Sequence, residues 1–290
     1  MYFEQGVAKT GKPVAVKIFR DVISDLNHEQ FRNEFCNLTK VQHYNIVQFL
    51  GYCCEREQTP IECNGRIVLA ENTHRALCFE FMHNGSLQKH LSDESCGLDW
   101  DTRYKIIKGT CEGLRHIHEG LEKSLLHLDL KPDNILLDKN MVPKIADFGL
   151  SRIFGDQQTR STQGSLGTLK EISKKFDIFS LGVIIIMIVS GPESYHKCLD
   201  HMPSGKFVDQ VLKSWRKRWQ AACNSDFSFE ACCHQVETCI QIALDCLEKD
   251  SHKRPDIVKM IEELNKIEPG INKVTDITAK FYMKSICFVQ

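Results

Sequence analysis

The segment HLDLKPDNILLDKNMVPKIADFG, His127 to Gly149, decides how the rest of the chain is read. It sets His127 two residues before Asp129, then Lys131 and Asn134 on the same short loop, and Asp147 at the head of Asp147-Phe148-Gly149. Moving a phosphoryl group needs a carboxylate beside the incoming hydroxyl, positive charge on the moving phosphate, and oxygen ligands for Mg²⁺. Asp129, Lys131, Asn134 and Asp147 supply that set within one loop and the turn that follows. Solvated loop residues would have no reason to keep this order and spacing.

Upstream, the run KPVAVKIF from Lys12 alternates at Val14, Val16 and Ile18, the two-residue period of a half-buried strand. Asp25 to Val41 then places Phe31, Phe35 and Leu38 on one face of a helix, with Asp25 as its N-cap. Ile46 to Cys53 and Ala76 to Met82 read as strands, separated by a polar stretch, Glu55 to Arg75, expected as a loop or an extended hairpin. After Asn84-Gly85 the pattern turns helical. Asp99 caps a stretch whose Tyr104, Ile107, Cys111, Leu114 and Ile117 share a face, and further helices are expected at Asp177 to Ser190, Cys233 to Leu247 and Pro255 to Ile267. Pro255 suits a first helical turn. A sheet-rich unit is therefore followed by a mainly helical one, with a hinge at Met82 to Ser86 and a ligand cleft between them.

The 37 Lys plus Arg against 38 Asp plus Glu in 290 residues leave a net charge of −1, which favours neither nucleic acid nor a membrane surface as partner. The longest apolar stretch, Ile178 to Val189, is interrupted by Ser180 and Gly182 and falls short of the ~20 residues that a bilayer requires. No apolar signal-peptide core is seen in MYFEQGVAKTGK, so the 14 cysteines are expected to be reduced thiols of a cytoplasmic protein. Cys232, Cys239 and Cys246 recur every seven residues and are expected to pack as small hydrophobes on one helix face rather than to bind zinc. Gly6 to Lys12 matches a phosphate-binding P-loop except that Pro13 replaces its Ser or Thr, and it precedes a strand instead of following one; a plain turn is expected.

With these motifs in place, the chain from about Val7 to Glu268 resembles the eukaryotic protein kinases. The wording HLDLKPDNILL, LCFEFMHNGSLQKHL and HYNIVQFLGYC is most similar to plant receptor-like Ser/Thr kinases of the non-Arg-Asp type. The resemblance implies an α+β fold of two lobes: a small antiparallel-sheet lobe with one key helix in 1–83, a larger helical lobe in 84–268, and a tail, 269–290, outside the match. It implies ATP and Mg²⁺ as cofactors, a protein hydroxyl as substrate, receptor or signalling-complex partners, and a place at the cytosolic face of the plasma membrane. By resemblance, Lys17 contacts the α/β-phosphates and pairs with Glu34. Ala15 and Leu136 sandwich adenine, Phe79 is the gatekeeper, Glu80 to Met82 form the adenine-contacting hinge, and Asn134 and Asp147 hold Mg²⁺. His127, Phe148, Gly149, Thr168, Asp177 and Arg254 match structural positions, Asp177 bracing the catalytic loop.

Three departures carry expectations of their own. Leu128 stands where many kinases have Arg, so phosphates at Thr159, Ser161, Thr162 or Ser165 are expected to find less to grip. No G-x-G-x-x-G precedes VAVK in these residues, which is expected to remove a strand and the phosphate lid and to weaken nucleotide binding. After Thr168 the chain reaches KFDIFSLG through Glu171 roughly ten residues early. Arg254 is therefore expected to be left buried without its carboxylate partner. These departures keep a rival reading open, a non-catalytic scaffold that binds partners through its helical lobe.

Overall fold

Strand β1 (Tyr2–Val7) and strand β2 (Pro13–Phe19) form a hairpin that closes on a tight turn, in which Ala8 N–H donates to Lys12 O and Gly11 N–H to Ala8 O. Gly11 takes φ +78°, a left-handed conformation open to glycine without strain. The expected turn at Gly6 to Lys12 is therefore present. The computed structural model describes residues 2–19, 25–63, 65–92, 97–153, 173–194, 203–221 and 229–268. Thr159, Ser161, Thr162, Ser165, Thr168, Glu171 and the tail lie outside the described residues.

Strands β3 (Phe49–Cys63) and β4 (Arg66–Glu80) complete an antiparallel sheet in the order β1-β2-β4-β3. Both run longer than expected, and Glu55 to Arg75 is an extended hairpin paired through to Cys63 and Arg66. Strand β2 reaches β4 only from Arg75 to Glu80, so the far half of the hairpin projects as a two-stranded ribbon. On β2 Val14 is buried and Val16 and Ile18 are half-buried, as the alternation predicts, and Lys17 and Phe19 on the opposite face are buried as well. That face meets helix α1 (Asp25–Leu38): Phe31 packs edge-on to Phe19 at 5.4 Å, and Phe35 to Phe49 at 5.9 Å. An apolar alternation shows that one face is covered, but a lysine with two anionic partners outcompetes it for the deeper side.

Helices α2 (Leu87–Ser92) and α3 (Trp100–Glu119) open the second lobe, and Asp99 caps α3 by accepting from Thr102 N–H. Tyr104, Ile107, Cys111, Leu114 and Ile117 are all buried, as their spacing predicts. Two short strand pairs flank the loop: β5 (Leu125–Leu126) with β8 (Arg152–Ile153), and β6 (Ile135–Leu137) with β7 (Pro143–Ile145). Helix α4 (Lys174–Ser190) starts three residues before Asp177, with Ser173 as N-cap. Helix α5 (Ser204–Ala221), unforeseen from sequence, packs Phe207, Val211, Leu212 and Trp215 into the core. Helix α6 (Phe229–Cys246) buries Cys239 and Cys246 with Cys232 half-buried, and burial pushes the Cys239 thiol up to about 12. Helix α7 (Ile257–Lys266) begins after an Asp256 cap, so Pro255 precedes the helix instead of entering its first turn. No helix among the described residues is long and apolar enough to cross a membrane.

The lobes are joined by more than the hinge. Val47 N–H donates to Ile145 O, Ile145 N–H to Asn45 O, and Asn45 Nδ2 to Pro143 O, which anchors the α1–β3 loop to β7. This loop lies against α3 so closely that a Cβ on Gly113 would sit 2.7 Å from Asn45 O. Replacing a mid-helix glycine by alanine normally gains up to about 1 kcal/mol, but here the contact atom is backbone and overpacking costs about 1–3 kcal/mol. Gly113→Ala is therefore expected to lower the melting temperature; a raised one would contradict this packing.

Candidate active site

Lys17, on the inner face of β2, is 1% exposed, and its Nζ lies 2.6 Å from Glu34 Oε2 and 2.8 Å from Asp147 Oδ1. The helical period places Glu34 on the sheet side of α1, beside Phe31 and Phe35. Asp147 follows β7 and takes φ +65°, unusual for a residue with a Cβ. Burial pushes the Glu34 carboxyl up despite Lys17. Burial works the same way on Asp147, but there the Lys17 ammonium outweighs it and holds the carboxyl below its ordinary value. One ammonium thus serves two carboxylates, and the less buried one carries the charge more readily. Gly149 is needed beside them: a Cβ there would come within 3.3 Å of Asp147 Oδ1.

The loop from His127 to Asn134 is organised around Asp177 in the first turn of α4. Asp177 accepts from His127 N–H and Leu128 N–H, each at 2.8 Å, and faces His118 Nε2 at 2.8 Å. Burial would raise this carboxyl, and the His118 hydrogen bond leads the interactions that hold it below its ordinary value instead. These bonds secure Leu128 at φ +64°. His127 is buried with its Nε2 3.0 Å from Ala146 O and its Nδ1 accepting from Asp129 N–H, and Phe148 stacks edge-on to it at 5.1 Å. At the loop's open side, Asp129 Oδ2 accepts from Lys131 Nζ at 2.7 Å and from Asn134 Nδ2 at 3.0 Å. The Asp129 hydrogen bond holds the Lys131 ammonium above its ordinary value.

Between the lobes lies a cavity of about 300 Å³. Ala15, Phe79 and Met82 line it from the first lobe, and Leu136, Asn134 and Asp147 from the second. Glu80 also reaches the lining, but its carboxylate is turned to Lys144 Nζ at 2.9 Å and Gln48 N–H at 2.8 Å, leaving its backbone to the cleft. Met82 O is closed by Gly85 N–H, and no described residue takes Met82 N–H. Asp129 and Lys131 stand outside the cavity lining.

Among the described residues, Ala15, Glu34, Phe79, Glu80, Met82, Asn134, Leu136 and Asp147 meet around the cavity, and one expectation is corrected. Arg254 is half-buried and partnered: Nε donates to Glu248 O, Nη1 to Lys175 O, and the guanidinium lies 4.8 Å from the Phe179 ring. It was expected to be left buried without its carboxylate partner; among the described residues two carbonyls and a ring engage it instead. Phe3, His118 and Asn37 escaped the sequence reading. Phe3 lines the cleft from β1, 5.6 Å from Lys17 Nζ. Asn37, one turn after Glu34, donates to Ser151 O just beyond Gly149. An amide three residues after Glu34 on the same helix was the available signal.

A protein kinase domain model matches residues 4–264. Cysteine-rich receptor-like protein kinase 11 of Arabidopsis thaliana is 34% identical over 273 residues, covering 89% of this chain and 38% of the relative. G-type lectin S-receptor-like serine/threonine-protein kinase SD1-13 of Arabidopsis thaliana is 34% identical over 271 residues, 89% of this chain and 30% of the relative. This chain belongs to the protein kinase family, and it spans less than half the length of the curated relatives it matches. The family implies use of ATP and, typically, a divalent metal. The donor set suits such an ion: Asn134 engages Asp129 through Nδ2, which leaves its amide oxygen, and Asp147 engages Lys17 through one carboxylate oxygen, which leaves the other.

Burial holds His127 below its ordinary value, so the native state keeps it neutral. A histidine so lowered contributes stability that is complete above its unfolded value near about 6.5 and is lost as pH falls below it. Urea unfolding is expected to show falling stability from pH 7 to pH 5, and His127→Asn to reduce that slope by up to about 1.4 kcal/mol per pH unit. His43 and His116, stacked at 4.8 Å and also lowered chiefly by burial, are expected to contribute slope of the same sign. An unchanged slope in His127→Asn would show that His127 is not the buried neutral group.

Proposed function

We propose that this chain is an ATP-dependent protein serine/threonine kinase domain, with residues 1–83 and 84–268 as its two lobes and 269–290 outside them. The observation that carries the reading is the Lys17 ammonium shared by Glu34 and Asp147, both of which line the cavity together with Asn134. Adenine lies between Ala15 and Leu136, below Phe79, with its edge toward the backbone of Glu80 to Met82. Lys17, oriented by Glu34, holds the α/β-phosphates.

Asp129 orients the substrate hydroxyl and accepts its proton as the γ-phosphoryl moves in line. Lys131 is already drawn to that carboxylate and steadies the phosphate beside it. Asn134 and Asp147 would hold Mg²⁺, whose charge would offset that of the phosphate oxygens. Protein hydroxyls as substrates, receptor or signalling-complex partners, and action at the cytosolic face of the plasma membrane rest on the likeness to receptor-like kinases.

Asp129→Asn is expected to reduce phosphoryl transfer to a serine peptide by about 100-fold or more with little change in the KM for ATP; an unchanged rate would remove Asp129 from this role. Separately, Mg-ATP at about 100 times its Kd is expected to stabilise the native state by about 2.7 kcal/mol, read as a higher melting temperature. No shift at millimolar nucleotide would sink the ATP-site reading. A shift without turnover would establish the scaffold reading in its place.

A further inference from the structure

A second cavity, of about 720 Å³, lies on the helical lobe between the start of α4 and the link from α6 to α7, and shares no lining residue with the ATP cleft. Four of its lining side chains are basic: Lys175, Lys249, His252 and Arg254. Hydroxyls of Ser173, Ser180 and Ser251 stand among them, and no carboxylate lines it among the described residues. In a chain of net charge −1 this concentration of one sign is local. Two neighbouring acids are engaged: Asp256 pairs with Lys175, and Asp250 accepts from His252 N–H.

These basic groups differ in what they have left to give. Lys175 is spent on Arg254 O, Pro255 O and Asp256, so it contributes charge more than hydrogen bonds. Arg254 is braced by Glu248 O, Lys175 O and the Phe179 ring, which fixes its plane, and three of its five N–H groups make no bond among the described residues. Lys249 and His252 are exposed, with no side-chain bond to a described residue. The Ser173 hydroxyl makes no capping bond to α4.

A fixed guanidinium flanked by the Lys249 ammonium, the His252 imidazole and hydroxyls suits a dianionic phosphate monoester, whose three acceptor oxygens take charge-assisted bonds from several donors. The space is far larger than a phosphate, and Phe176 and Phe179 give it an apolar wall, so the carrier has aliphatic bulk of its own. We infer that this cavity is a docking site for a phosphoserine- or phosphothreonine-bearing peptide segment of a partner protein. The site is separate from the cleft and does not depend on catalysis.

The test uses the full chain carrying Asp129→Asn, with Mg²⁺ and a non-hydrolysable ATP analogue present so that the cleft cannot hold the probe. A labelled octapeptide with one phosphothreonine beside a leucine is titrated against its unphosphorylated twin. About tenfold or tighter binding of the phosphopeptide is expected, weakened about tenfold or more by Lys249→Gln with His252→Gln. Both positions are exposed, and the melting temperature of that variant is expected to match the parent. Equal binding of the two peptides, or undiminished binding by the double variant, overturns the proposal. Displacement of the phosphopeptide by inorganic phosphate at equal concentration overturns the peptide reading in favour of a bare anion seat.

Discussion

One ammonium group holds the two halves of this molecule in register. Lys17 is buried on a sheet, Glu34 on a helix packed against it, and Asp147 on a loop of the other lobe. A charge taken out of water is costly unless paired, so an arrangement that buries Lys17 must bring both carboxylates to it. The spacing of β2, α1 and the Asp147 loop follows from that requirement. Asn37 adds a weaker tie one turn along the same helix, reaching Ser151 across the lobe boundary.

A second centre works in the helical lobe alone. The Asp177 carboxylate, rooted in the first turn of a buried helix, collects two backbone N–H groups and His118, and so holds the loop that presents Asp129 and Asn134. Leu128 and Asp147 both adopt positive φ without being glycine. Conformations of this kind persist only where surrounding bonds over-determine them. Here the bonds are those of Asp177 to the Leu128 amide and of Lys17 to the Asp147 side chain.

Much of the fold was legible because it repeats. The buried face of α3, the cap at Asp99 and the aromatic face of α1 follow directly from periodicity. Where reading failed, no period was available to carry it. The ribbon from Glu55 to Arg75 buries no face among its described residues, and its apolar run Ile67 to Leu69 is exposed and does not alternate, so no two-residue period marked it as strand. Helix α4 was placed three residues late because its first turn is Lys174, Lys175 and Phe176, a polar opening to an apolar helix. Arg254 was expected to want a carboxylate, yet carbonyl oxygens and an aromatic face satisfied it, a choice that depends on neighbours far away in the chain.

The chemistry-bearing residues were determined by sequence alone, since Asp129, Lys131, Asn134 and Asp147 lie close enough along the chain for spacing to carry meaning. Lys17 and Glu34 could be named there, but not the second partner of Lys17, because a contact across 130 positions leaves no trace in local pattern. Only the tertiary structure decided which face of β2 lies deeper, that Phe3 covers the cleft, and that Lys249, His252 and Arg254 gather around a second cavity. The reason is physical: periodicity records which side of an element avoids water, whereas charge pairing and cavities arise from elements that meet only after the chain has folded.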